Sequence, residues 1–201
     1  MSTMTFTAKD VQELRQRTGA GMMDCKKALE ETGGDKEKAI ELLRKKGIAK
    51  AEKRAGRQAT DGLVGSYIHH NGRIGVLVEV NCETDFVART DDFRQLVRQI
   101  AEHIAAANPV AVDKDGVPAE RVERERRIFE EQARSSGKPD AIVAKMVDGK
   151  VESYYKEVVL LSQPWVREPK KTIGDLIRET SAKLGENLQV RRFSRYELGA
   201  D

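Results

Sequence analysis

Cysteine, histidine and carboxylate side chains are the groups in this sequence that could act as nucleophiles, proton carriers or metal ligands. The two cysteines, Cys25 and Cys82, are far apart, and two of the three histidines, His69 and His70, are adjacent. Structural zinc sites usually take several closely spaced Cys and His ligands, which this chain does not offer. Neighbouring residues on a strand also point to opposite faces, so His69 and His70 are not expected to bind one ion together. The sequence predicts no metal site.

Motifs that mark nucleotide-binding or hydrolytic enzymes are not found either. There is no Gly-x-x-x-x-Gly-Lys-Ser/Thr loop and no Gly-x-Gly-x-x-Gly turn. No Ser-His-Asp or Cys-His arrangement can be recognised. The carboxylates lie in predicted helices among lysines and arginines, where a solvated helix face explains them. We expect no catalytic residues and no cofactor. An enzyme of unknown reaction is an alternative that would need a pocket of converging groups.

The stretch from Asn81 to Arg89 is the strongest candidate for a functional site. It follows a strongly apolar predicted strand and precedes a predicted amphipathic helix, so it is expected to form a short polar turn on the surface. Phe86 lies within this turn, next to Asp85. Such an aromatic side chain either folds back into the core or projects outward as a binding anchor. The residue types alone favour the core.

Charge gives a second possible function. The chain has 36 basic and 33 acidic side chains, and this near balance does not favour a protein that binds phosphate backbones. The basic stretch 44–59 has no aromatic residue for base stacking, and a solvated helical linker explains it. RNA binding through this stretch and through Arg191, Arg192 and Arg195 is kept as an alternative. The preferred interpretation includes no direct contact with nucleic acid.

The cellular location follows from what the sequence lacks. Residues 1–10 have no apolar segment like that of a signal peptide, and no apolar run approaches the roughly 20 residues of a transmembrane helix. Two distant cysteines are typical of a reducing compartment. We expect a cytoplasmic protein without a membrane partner.

Residues 1–48 are predicted to form a module of three short helices. Glycines at 19, 21, 33 and 34 separate the helices, and the third is expected to begin after Asp35 and to end at Gly47. A module of this size is marginally stable alone and usually binds something. Met22 and Met23 could fill its small core or form an exposed contact surface, and both interpretations stay open. A basic helical linker is predicted at 49–61.

Residues 62–201 are predicted to form a core domain around a three-stranded antiparallel sheet, which makes the fold class α+β. Strands are expected at about 62–70, 74–82 and 188–196, with helices on one face. Asn-Gly at positions 71 and 72 predicts a hairpin with a type I′ turn. The uncovered, partly apolar sheet face predicts a homodimer.

The helices of this core are predicted from apolar spacing. The best amphipathic helix starts near Thr90, and its apolar residues recur with helical periodicity. They are Phe93, Leu96, Val97, Ile100, Ala101, Ile104 and Ala105. Two further segments, 141–147 and 151–161, are expected to be hinged near Gly149. Thr172 and Asp175 predict a capping box at the start of a last helix.

Two long stretches resemble the bacterial elongation factor Ts family in its short form, which has one core half instead of two. The first stretch runs from Leu14 to Leu29 and the second from Glu79 to Ala88, and together they are highly specific. Shorter matches support them. These lie at 103–105, 136–139, 163–166 and 191–193.

The resemblance implies a function that needs no catalysis by the chain itself. Members of the family bind elongation factor Tu carrying GDP and promote GDP release by disturbing its magnesium and phosphate site, so that GTP can bind. The chain would thus be a guanine-nucleotide exchange factor in translation elongation, with a ubiquitin-associated-like N-terminal module. Two chains would form a homodimer and a two-plus-two complex with the partner.

The resemblance also assigns residues to partner binding. Thr84, Asp85, Phe86 and Val87 correspond to a tip that intrudes into the partner, with Phe86 as a wedge between helices of its nucleotide-binding domain. Arg15, Met22 and Met23 correspond to positions through which the N-terminal module grips the same domain. His69 corresponds to a histidine that touches the partner in longer members.

Overall fold

A computed structural model describes residues 6–135 and 137–200 of the chain. Ser136, which belongs to one stretch of the resemblance, lies outside the described residues, as do residues 1–5 and 201. The helices are α1 (Ala8–Thr18), α2 (Met22–Glu31), α3 (Lys36–Arg54), α4 (Asp85–Ala88), α5 (Asp91–Ala107), α6 (Ala119–Arg134), α7 (Asp140–Val158) and α8 (Ile173–Leu184). The strands are β1 (Asp61–Ile68), β2 (Ile74–Cys82), β3 (Pro164–Trp165), β4 (Glu168–Thr172) and β5 (Gln189–Glu197). The predicted α+β class is confirmed.

The chain divides into two compact units that do not follow the order of the sequence. The first unit contains the residues up to Gly62 together with Asn81–Phe93 and Ile177–Gln189. The second contains Leu63–Val80, Arg94–Leu176 and the residues from Val190 onward. The predicted boundaries at 48 and 61 stay a prediction.

Three helices pack around a small apolar core in the first unit, as predicted. Thr7 starts α1 with a capping box, in which the Thr7 N–H donates to the Asp10 carboxylate at 2.7 Å. Gly19, with φ of 67°, ends the helix in the left-handed conformation that glycine tolerates. The buried core side chains are Val11, Leu14, Cys25, Ala28, Leu29, Ala39 and Leu43.

The third helix is longer than the sequence predicted. It continues through Gly47 to Arg54, so the first part of the predicted linker is its C-terminal end. Gly47 lies inside the helix, where its lack of a side chain allows α3 to approach α8 closely. A Cβ at position 47 would lie only 3.0 Å from the Cβ of Ala182. The alanines and lysines that flank Gly47 are good helix formers and carry the helix past it.

The second unit is built on the three-stranded sheet, in which β2 lies between β1 and β5. β5 runs antiparallel to β2, because the Leu198 N–H donates to the Arg73 carbonyl at 2.8 Å and Arg192 reaches Glu79 at 2.7 Å farther along. The three predicted strands closely match those observed. A second, two-stranded antiparallel sheet of β3 and β4 was not predicted, and it carries the buried Trp165.

The hairpin turn differs from the predicted type I′ form. Gly72 has a positive φ of 70°, whereas Asn71 does not have one. The Gly72 N–H donates to the His69 carbonyl at 2.7 Å, and the Asn71 side-chain oxygen accepts from the Arg73 N–H at 3.0 Å. The loop is thus longer than a two-residue turn, and Asn71 acts through its side chain instead of through a left-handed backbone.

The sheet has one covered and one open face. Val76, Val78 and Val80 are buried on the covered face, as their alternation predicted. Gly65 allows β1 to approach α5, because a Cβ there would overlap Cγ1 of Val97. The apolar residues predicted for α5 are all buried. Leu77 lies on the open face.

The remaining helices agree with the sequence except at Gly149. α7 is continuous there and has no hinge, because Val143, Val147 and Val151 form one buried stripe along it. The capping box of α8 is present, with the Asp175 N–H donating to the Thr172 hydroxyl at 3.0 Å. None of the described helices is long and apolar enough to cross a membrane.

Candidate partner-binding site

The segment that follows β2, here called the tip, is a single helical turn, α4. Two of its side chains are buried and its aromatic side chain is exposed. Thr84 caps the turn, because its hydroxyl accepts from the Val87 N–H at 3.3 Å. Val87 and Ala88 are buried below the turn. Phe86 points away from them and is 77% exposed. The residue types favoured a buried Phe86, and the structure shows the opposite.

The tip carries one acid next to its aromatic side chain. The Asp85 carboxylate is exposed and accepts from Arg89 Nη2 at 2.6 Å, one turn farther on. This exposed pair contributes little to stability. An aromatic side chain exposed on a capped turn is available to a partner, and aromatic residues are enriched among binding hot spots.

Two exposed methionines and an arginine lie on the three-helix part of the same unit. Met22 and Met23 are 44% and 62% exposed, and Arg15 is also exposed. The three-helix core contains neither methionine. Both methionines are therefore exposed instead of filling the core, and their contact with a partner stays a prediction. Unbranched methionine side chains can adapt to a partner's surface.

His69 lies in the second unit, beyond the end of β1. Its Nδ1 is 3.1 Å from the hydroxyl of Tyr67, which fixes the ring. The centroids of the His69 and His70 rings are 4.2 Å apart, so the two side chains do not point to opposite sides. The strand rule failed here because β1 ends at Ile68 and the two histidines belong to the loop. The described residues contain no group of three or more side chains suited to hold a metal ion.

Four of the seven cations in the basic stretch pair with acids of the same unit. The four ion pairs are Arg44–Glu179, Lys46–Glu31, Lys50–Asp24 and Arg57–Glu83. In the second unit Arg191 and Arg192 both reach Glu79, and Arg195 pairs with Glu197. The paired side chains already have an acid within reach, which argues against a row of cations that binds a phosphate backbone.

Neither cysteine is activated for nucleophilic chemistry. Burial, with a smaller contribution from the Glu186 charge, raises the pKa of the Cys82 thiol to about 11. Burial also raises the pKa of the Cys25 thiol. The thiolate is the reactive form of cysteine, so both buried side chains keep the unreactive thiol form at neutral pH.

Sequence reasoning missed the residues that hold the tip from behind. Glu186 and Asn187 follow the end of α8 and form hydrogen bonds to Glu83 and Thr84. Their separation from the tip along the chain exceeds 100 residues. A glutamate after a helix-ending glycine is indistinguishable from a solvated surface acid in a single sequence, so no signal could have found them.

Known proteins resemble nearly the whole chain. The family profile described as Elongation factor TS matches residues 6–200. The elongation factor Ts of Citrifermentans bemidjiense is 57% identical over 196 residues, which cover 98% of this chain and 91% of the relative. The elongation factor Ts of Oleidesulfovibrio alaskensis is 58% identical over 195 residues, which cover 97% of this chain and 98% of the relative. That of Geobacter sulfurreducens is 56% identical over 196 residues, with coverages of 98% and 91%.

Proposed function

This chain belongs to the elongation factor Ts family of translation elongation factors, and we propose that it is a guanine-nucleotide exchange factor for elongation factor Tu. It binds the GDP-bound partner in the cytoplasm and disturbs the magnesium and phosphate site, which releases GDP and lets GTP enter. The chain supplies binding energy only and needs no acid, base, metal or cofactor of its own.

The single observation that carries this proposal is the exposed Phe86 on a capped turn. An aromatic side chain that is 77% exposed gains the free energy of apolar burial when another protein covers it. Full burial of a Phe is worth about 2–3 kcal/mol, enough for a binding hot spot. In this proposal Phe86 wedges between helices of the partner's nucleotide-binding domain, and Thr84, Asp85 and Val87 set its position.

Exchange requires the factor to favour the nucleotide-free partner over its GDP complex. By thermodynamic linkage, GDP must then weaken the binding of the factor by the same ratio. A wedge that distorts the nucleotide site has this property, because its contacts form fully only when the site is open.

The three-helix module supplies a second contact in this proposal. We assign residues 1–48 to a ubiquitin-associated-like module whose exposed Arg15, Met22 and Met23 grip the partner's nucleotide-binding domain. These residues lie in the same compact unit as the tip. His69 is assigned a weaker contact, which the second subunit of a dimer would supply.

The open face of the sheet is the proposed surface for dimerisation. Val64, Ile68, Leu77 and Tyr196 are all large exposed side chains of β1, β2 and β5. A cluster of such residues on a sheet face is unfavourable in water and is commonly covered by a second copy. Two chains would then form the two-plus-two complex with elongation factor Tu.

Release of fluorescent GDP from elongation factor Tu tests the function directly. We expect substoichiometric amounts of the protein to accelerate release by orders of magnitude, because each molecule turns over many partners. A folded sample that leaves the spontaneous release rate unchanged contradicts the proposal. The same assay in the presence of unlabelled GTP should show that the released site is refilled.

A further inference from the structure

We propose that Glu186 is a positioning residue that holds the Phe86 tip ready for the partner, through a reciprocal clamp with Glu83, Thr84 and Asn187. This inference rests on the proposed exchange function. The four residues of the clamp all belong to the first unit.

Glu186 accepts three hydrogen bonds from the segment that leads into the tip, two from the backbone and one from a side chain. Its Oε2 accepts from the N–H groups of Glu83 at 3.0 Å and Thr84 at 3.1 Å. Its Oε1 accepts from the Thr84 hydroxyl at 2.6 Å. Hydrogen bonds to a carboxylate are stronger than those between neutral groups, so this one side chain fixes two consecutive peptide groups and a hydroxyl.

Thr84 connects Glu186 to the first turn of the tip through its hydroxyl group. Its hydroxyl donates its one proton to Glu186 and accepts from the Val87 N–H at 3.3 Å with a lone pair. The donor bond thus orients the lone pair that caps α4. A helix of one turn is too short to be stable by itself, so it depends on such external bonds.

Glu83 completes the clamp in the reverse direction. Its Oε1 accepts from the Asn187 N–H at 2.7 Å. The Asn187 side chain is buried and donates to the carbonyls of Ala55, at 3.3 Å, and Arg57, at 2.8 Å. The segment after α8 therefore ties the tip to the chain just beyond the end of α3. The tip and the three-helix part of the unit are joined by hydrogen bonds that neither could form alone.

This arrangement fits a positioning role better than a purely stabilising one. The bonds of Glu186 end on the residues directly before Asp85 and Phe86, which are themselves exposed. Ordering a binding loop before association removes the entropic cost that association would otherwise carry. Without Glu186 the wedge would still be present but would sample more conformations.

The experiment compares GDP release with Glu186→Ala, Glu186→Gln and the control Glu41→Ala, an exposed glutamate on α3 of the same unit. Loss of the preformed tip should lower kcat/KM for exchange about tenfold, because ordering one side chain and its turn costs about that much affinity. Glu186→Gln should recover part of the loss, since its one oxygen still accepts from both backbone N–H groups. Glu41→Ala should match the unmodified protein.

A second comparison, made in a chain that already carries Phe86→Ala, distinguishes a positioning role of Glu186 from a purely stabilising one. In a Phe86→Ala chain, Glu186→Ala should lower exchange less than about twofold, because coupled residues are not additive. When the unmodified protein is active, an equal loss in both backgrounds overturns the proposal, as does no loss in either. If Glu186→Ala does not fold, Glu186→Gln takes its place in both backgrounds.

Amide hydrogen exchange of the free protein distinguishes failure of the clamp from failure of the exchange function. The Val87 and Ala88 amides should exchange faster in Glu186→Ala than in the unmodified protein, while amides of α1 keep their rates. If the unmodified protein releases no GDP but this difference is present, the clamp stands and the proposed function fails. Equal rates at Val87 and Ala88 overturn the clamp whatever the release assay shows.

Discussion

His103 and Gln163 form a hydrogen bond of 3.0 Å between His103 Nε2 and Gln163 Oε1, and both side chains are buried. His103 Nδ1 accepts from the Val166 N–H at 3.4 Å, which leaves the proton on Nε2. The Gln163 amide in turn donates to the carbonyls of Ala107 and Glu157. The arrangement suits only a neutral imidazole, because a protonated Nδ1 would face a donor.

Stability should therefore fall in mild acid. Burial lowers the pKa of His103, although the hydrogen bond that its Nε2–H donates to Gln163 opposes the shift. Below the ordinary histidine pKa of 6.5, the unfolded chain therefore binds more protons than the folded one. The free energy of unfolding then decreases as the pH falls from that value towards the lower pKa of the folded state. The slope for one group is at most about 1.4 kcal/mol per pH unit. Urea unfolding between pH 7 and pH 5 measures how the free energy of unfolding changes with pH.

His103→Gln removes the titration and keeps a donor for Gln163, so its stability should change less over the same pH range. His70→Gln, at an exposed loop position, serves as the control and should follow the unmodified protein. Parallel curves for all three proteins would show that His103 does not govern this pH range.

Phe86→Ala should lower the exchange activity by about tenfold or more, because the wedge loses a contact worth about 2–3 kcal/mol. Its melting temperature should be unchanged, since the side chain is exposed. Ile142→Ala, at an exposed apolar position of α7, should leave both quantities unchanged. Full activity of Phe86→Ala would remove the wedge from the mechanism.

Gly65→Ala and Gly149→Ala should change stability in opposite directions. The new methyl group at position 65 overlaps Val97, which should cost about 1–3 kcal/mol of unfolding free energy. At position 149 no atom lies within 4 Å of the new Cβ. Replacing a helical glycine there should raise the free energy of unfolding by about 0.5–1 kcal/mol, because glycine loses more backbone entropy on folding. Denaturant unfolding of the two variants checks the contrast, and a destabilised Gly149→Ala would argue for the hinge that the sequence predicted.

Leu77→Arg should weaken the proposed dimer, because it places a charge in the middle of the open sheet face. Sedimentation velocity at micromolar concentration should show two-chain particles for the unmodified protein and single chains for Leu77→Arg. Ile142→Arg adds the same charge elsewhere and should not affect association. A single-chain particle for the unmodified protein would contradict the sheet-face dimer.

Arg57→Ala should change exchange by less than about twofold. Arg57 Nη1 lies 3.5 Å from Glu83 Oε2 at the surface, and exposed ion pairs of this kind contribute about 0–1 kcal/mol. The backbone carbonyl that Asn187 uses is retained in the variant. A large loss in the GDP-release assay would make the basic stretch a partner contact after all.

Much of the fold could be predicted because local chemistry determines it. The alternation of Val76, Val78 and Val80 fixed the buried face of β2, and the helical periodicity from Phe93 to Ala105 fixed α5. The failures involve glycines whose surroundings are set by distant residues. The sequence predicts a helix end at Gly47 because Ala182 cannot be placed beside it without the fold. It predicts a hinge at Gly149, although a valine stripe spans that position.

The candidate site divides in the same way. Phe86 was found because its residue type is unusual in a polar turn, but only the structure shows which way it points. Glu186 was not found, since its role comes entirely from being brought to Thr84 by the fold. Local patterns thus identify the side chain proposed to contact a partner, and only long-range geometry identifies the side chain proposed to hold it in place.

The clamp sets an order of events during synthesis of the chain. Glu83 and Glu186 are 103 residues apart, so a growing chain completes its three helices and the β1–β2 hairpin long before the carboxylate that fixes the tip leaves the ribosome. Long-range contacts of this kind form late and slowly. We expect nascent chains that end before α8 to carry Phe86 on a disordered turn and to bind elongation factor Tu weakly. The activity would then begin only when almost the whole chain has been made.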